Sequence, residues 1–182
     1  MNSIRMRMKT VLGLVTFILF SFVMFDAHSA PNMTFRGTLI QEPCTVTPGN
    51  ETINVDFKDV INKFLYRYQR TEPKPFQLQL SDCDLTIGQT VNLSFTGTES
   101  TVLPGLLAVD PGSQAINIAI GLEMKDGTPI LINQPVKNIP LSSGTTLLQF
   151  NAYVQGEPDA LAQQSLTYGR FTATSVFLLE YP

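Results

Sequence analysis

After its first thirty residues the chain alternates apolar and polar positions with a period of two. Phe76, Leu78 and Leu80 alternate with Gln77, Gln79 and Ser81, and Val91, Leu93 and Phe95 alternate with Asn92 and Ser94. Ile116, Ile118, Ile120 and Leu122 keep the same spacing. Residues two apart share one face of a strand, so each run predicts a half-buried β-strand. Lys125-Asp126-Gly127 predicts a hairpin turn into a strand at Pro129-Ile130-Leu131-Ile132, and Leu148, Phe150, Ala152 and Val154 mark another. Gly, Pro, Asn and Ser punctuate the runs. Two stretches depart from the pattern. Val60 to Arg70, carrying Phe64, Leu65, Tyr66 and Tyr68, predicts a short helix or an irregular strand crossing between sheets; Ala- and Gln-rich Pro158 to Leu166 predicts one helical turn. The sum is an all-β chain folded as a two-layer β-sandwich around one core.

Both ends of the chain carry the same alternation. Met33, Phe35, Gly37 and Leu39 fall on one face, with Asn32, Thr34, Arg36 and Thr38 on the other, until Glu42-Pro43-Cys44 breaks the strand. From Gly169 to Pro182, Phe171, Ala173, Ser175, Phe177, Leu179 and Tyr181 share a face. On pattern alone these read as the sandwich's own first and last strands.

The first residues differ in kind. Arg5, Arg7 and Lys9 precede an apolar run of fifteen residues, Val11 to Phe25, followed by Asp26-Ala27-His28-Ser29-Ala30. A basic head, a short apolar core and small residues make a signal peptide; a membrane span needs about 20 apolar residues. Cleavage after Ser29 places Ala27 three residues before the cut, whereas cleavage after Ala30 leaves Pro31 first, a poorer substrate. The expected mature chain of about 153 residues suffices for one domain and is not inserted in a membrane.

Charge and side-chain chemistry narrow the function. The chain carries 12 Lys and Arg against 15 Asp and Glu, a net charge of −3. Losing Arg5, Arg7, Lys9 and Asp26 with the leader removes three positive charges and one negative, leaving −5. That balance argues against a nucleic-acid partner. The only histidine, His28, lies in the leader, which excludes Ser-His-Asp and Cys-His catalysis and every histidine-containing zinc site. The glycines sit singly, with no phosphate-binding loop. Asp82 with Asp84, and Asp56 with Asp59, are the acid pairs available for hydrolytic chemistry, but neighbouring acids in polar turns are ordinarily just solvated. No enzyme activity, cofactor or metal is expected. Cys44 and Cys83 are the only cysteines, and in an oxidising compartment they are expected to form a disulfide. Closing that loop contributes about 4 kcal/mol by the loop-entropy relation.

The chain resembles the pilins of the bacterial chaperone–usher pathway over nearly all of its mature length. The most specific likeness is the ending: Tyr181 is penultimate, Gly169 is fourteenth from the end, and alternating apolar residues join them. Cys44 with Cys83, and Phe35-Arg36-Gly37-Thr38-Leu39, fit the same family. Within it the chain is most similar to the small tip-fibrillum adaptor of P-type pili, with Thr96-Gly97-Thr98-Glu99, Leu103-Pro104-Gly105 and Pro158-Asp159-Ala160-Leu161 as further shared stretches.

The resemblance implies an immunoglobulin-like sandwich lacking its last strand, with a signal peptide at 1–29, an N-terminal donor-strand extension at 30–42 and a pilin domain at 43–182. It implies an apolar groove beside the final strand, involving Gly169, Phe171, Ala173, Ser175, Phe177, Leu179, Tyr181 and Pro182. A periplasmic chaperone fills that groove first. At an outer-membrane usher, the extension of a neighbouring subunit replaces the chaperone strand. Met33, Phe35, Gly37 and Leu39 are the donor residues implied here, with Gly37 over a shallow part of the neighbour's groove and Pro182 offering its carboxylate to the chaperone. The implied function is a minor adaptor subunit of a fimbria displayed at the cell surface, serving adhesion. A major rod pilin, or a self-complete secreted sandwich such as a lectin, is the alternative.

Overall fold

The computed structural model describes residues 35–182. The expected signal peptide with its cleavage point, and the donor residue Met33, lie outside the described residues. The chain divides into two units, residues 1–39 and 40–182. In the first, residues 35–39 have no regular secondary structure, and Phe35 and Leu39 are exposed. All described strands and helices belong to the second.

In chain order these are β1 (Thr45–Val46), α1 (Asn62–Tyr68), β2 (Lys74–Cys83), β3 (Thr90–Thr96), β4 (Leu107–Ala108), β5 (Ile118–Met124), β6 (Pro129–Ile130), β7 (Pro135–Pro140), β8 (Gly144–Gly156), α2 (Pro158–Ala162) and β9 (Val176–Glu180). The larger sheet runs β1-β2-β8-β5-β4, and β6 pairs with β5 beyond the end of β4. The smaller runs β7-β3-β9. Every pairing is antiparallel. This is an immunoglobulin-like β-sandwich.

The period-two runs explain the layers. In β2, Leu78 and Leu80 are buried, and the register sets Leu78 opposite Leu148 and Phe76 opposite Phe150 in β8. From the smaller sheet, Val91, Leu93 and Phe95 of β3 point at them and are buried in turn. Phe76, Phe95 and Phe150 meet where the sheets face, with ring centroids 5.3–6.2 Å apart, the spacing of favourable edge and tilted contacts. β5 is buried on both faces, because Tyr153 lies over Gly121 on the outer side and Arg70 covers Tyr153. Arg70 also pairs with Glu123 at 3.0 Å, which satisfies an otherwise isolated buried carboxylate. Cys44 and Cys83 are joined in a disulfide that ties the entry to β1 to the end of β2.

The two stretches that broke the alternation are the two helices. α1 buries Leu65 and stops at Gln69, which has φ +69°. α2 starts with Pro158 at its first turn, where a missing N–H costs nothing, and buries Ala160. Three strand expectations change in extent. The 129–132 strand pairs only over Pro129–Ile130, because the Ile132 and Asn133 amides turn away to the carbonyls of Gly105 and Phe95. Ile116 makes a single bridge to Thr167 outside β5. The final strand expected from Phe171 to Tyr181 pairs regularly with β3 only over Val176–Glu180. β7 carries no clear alternation; prolines at both its ends suit the sheet edge it occupies.

Candidate functional site

The site is built along the last fourteen residues. Phe171, Ala173, Ser175, Phe177, Leu179 and Tyr181 are half-buried, while Thr172, Thr174, Val176, Leu178, Glu180 and Pro182 are exposed. Several even-numbered backbone groups have partners in the segment 110–115. The Arg170 carbonyl accepts from the amides of Gln114 (2.7 Å) and Ala115 (3.2 Å), and the Thr172 carbonyl from Asp110 (2.7 Å). Phe171, Ala173 and Ser175 make no backbone hydrogen bond among the described residues. Backbone groups at successive strand residues point to opposite edges, so these form one open edge.

Opposite that edge runs an extended segment outside any strand. Ile53, Val55 and Phe57 are half-buried against the core, and Asn54 and Asp56 are exposed. Between Thr52 and Phe57 the one backbone group bonded among the described residues is the Asp56 carbonyl, which accepts from Lys74 Nζ at 2.8 Å. The two segments flank a groove of about 920 Å³ floored by core residues including Phe76, Phe95, Leu107 and Ile120. At one end the rings of Phe57 and Phe171 are 6.3 Å apart. An apolar floor between two stretches of unpaired backbone suits an extended peptide, which satisfies both kinds of surface at once.

A second cavity of about 470 Å³ lies at the far end of β9, lined by Ile40, Pro43, Ile87, Leu179, Tyr181 and Pro182 among others. The Tyr181 hydroxyl donates to the Cys44 carbonyl at 3.3 Å. Burial, and then the negative charge of Glu42, raise the Tyr181 phenol above its ordinary value of 10.0. Gly169 has φ +144°, and a Cβ there would run into Gln114, so the turn into the final segment requires glycine.

The remaining candidates lie apart. Asp56, Asp59, Asp82 and Asp84 are all exposed, and Asp84 bonds locally to Thr86, which lowers its pKa. Phe35, Gly37 and Leu39 lie outside the unit that carries the groove. Sequence reasoning did not single out Ile53, Val55 and Phe57, although their alternation was visible. It also passed over Asp110, Ser113 and Gln114, for which no periodicity exists.

Residues 33–182 match the family model described as fimbrial protein. The chain belongs to the fimbrial protein family. It is 32% identical over 170 residues to the fimbrial adapter PapK of Escherichia coli, covering 90% of this chain and 95% of that protein. It is 29% identical over 176 residues to the major MR/P fimbria protein of Proteus mirabilis, covering 96% and 97%. Among solved structures it resembles the P pilus rod subunit PapA, with a TM-score of 0.66 at 23% identity, covering 78% of this chain and all of that one. Fimbrial proteins are structural subunits that assemble with neighbouring subunits and are displayed on the cell surface as fimbriae. The fibre role expected from the sequence therefore stands at the level of the family.

Proposed function

We propose that this fimbrial protein is an adaptor subunit that polymerises by donor-strand exchange, and that its groove is the receiving site. The observation that supports this reading is the coincidence of an apolar floor with the open backbone edge at Phe171, Ala173 and Ser175. In this reading residues 1–29 are removed on export, 30–42 donate a strand and 43–182 form the pilin domain. A periplasmic chaperone lends the first strand and holds the carboxylate of Pro182; at the usher, a neighbouring subunit's extension takes its place. Strand addition at a sheet edge is a general recognition mode, of which chaperone–pilin pairing is itself an instance. Met33, Phe35 and Leu39 would each supply about 1.5–3 kcal/mol when buried in a neighbour's groove, before the entropy of ordering the donor. Similarity to PapK along 90% of the chain favours the adaptor role.

A major rod role is the second reading, favoured by the likeness to the major MR/P fimbria protein. Counting copies per fibre separates them: one or a few for an adaptor, most of the mass for a rod subunit.

Substitutions test the two halves of the exchange separately. Phe35→Asp with Leu39→Asp is expected to leave the chaperone complex intact but stop this subunit from inserting into its neighbour. Phe177→Asp or Leu179→Asp is expected to abolish the chaperone complex. Normal polymerisation of the first variant would remove the donor role, and an intact complex in the second would remove the groove.

A further inference from the structure

Residues 170–175 border the groove without a sheet neighbour, since β3 ends at Thr96, opposite Val176. Their partner is the irregular segment 110–115, in which Pro111 has no N–H to give and Gly112 turns at φ +95°. Such a segment cannot present a regular row of carbonyls, and side chains take their place. Gln114 Oε1 accepts from the Arg170 amide at 3.3 Å, Ser113 Oγ from the Thr172 amide at 3.2 Å and Asp110 Oδ1 from the Thr174 amide at 3.0 Å. Asp110 Oδ2 also accepts from the Thr174 hydroxyl at 2.8 Å, so this carboxylate grips Thr174 twice.

We infer that Asp110, with Ser113 and Gln114, is a splint that holds 170–175 extended so that Phe171, Ala173 and Ser175 offer their backbone groups to the strand entering the groove. The inference rests on the groove being the receiving site. All three bonded amides are even-numbered, and strand geometry then turns the odd-numbered groups to the opposite edge. Asp110 carries most of the effect, because hydrogen bonds to a charged acceptor are the stronger kind. It is a positioning residue that acts through Thr174 and does not touch the incoming strand.

The test is residue-resolved amide exchange on the subunit bound to its chaperone. In the wild type, Ala173 and Ser175 are expected to be protected by the lent strand. Asp110→Ala is expected to speed their exchange about tenfold while the β9 amides from Phe177 to Leu179 keep their protection. Asp110→Asn retains an acceptor for the Thr174 amide and is expected to restore most of the protection. Thr174→Val, which removes only the hydroxyl bond, is expected to give a several-fold effect and serves if Asp110→Ala yields no complex. Wild-type exchange in these variants, or loss of protection spread evenly through β9, would overturn the splint. Absence of protection at Ala173 and Ser175 in the wild-type complex would instead overturn the groove as the receiving site.

Discussion

Gly169 and Tyr181 bracket the final segment, and each is fixed by a local contact. Gly169 combines φ +144° with a backbone pressed against Gln114. Gly169→Ala is expected to destabilise the filled subunit by about 1–3 kcal/mol, read from its thermal melt in the chaperone complex. Tyr181 is held neutral by burial and by the nearby Glu42 charge. A raised folded-state pKa gives stability that is fully present below the unfolded value near 10 and is lost as pH climbs through the folded value. Melting temperatures taken up to pH 11 are therefore expected to fall more steeply for the wild type than for Tyr181→Phe.

At the scale of elements, legibility followed the source of each element's partners. β2, β3, β5 and β8 bury side chains against one another, and that burial writes a period of two into the sequence. The helices were legible by losing it. Residues 170–175 kept the alternation, yet their bonding was hidden, because it comes from polar side chains about sixty positions upstream in a segment without a pattern. Ile53, Val55 and Phe57 were readable but short, with no hairpin signal to frame them. Phe57 lies across from Phe171 at one end of the groove. Phe57→Ala is expected to weaken retention of a bound strand by about 1–3 kcal/mol, measured as faster dissociation of the chaperone complex, with the sandwich still formed. Unchanged dissociation would mean that this segment is not a working wall.

Across the whole molecule, the fold leaves its apolar interior reachable from one side. β9 closes the smaller sheet at an edge, and the 51–57 segment covers the core without joining either sheet. A groove lined by apolar side chains beside unpaired backbone is costly in water and invites aggregation. On the proposed reading, a sandwich of this construction is expected to be stable with a strand in its groove and poorly stable alone. The most direct measurement is the fate of the mature chain in the periplasm, with and without its chaperone. Aggregation or degradation alone, and a soluble 1:1 complex with the chaperone, is the expected result. A soluble, monomeric, thermally stable chain in the absence of any chaperone would contradict it.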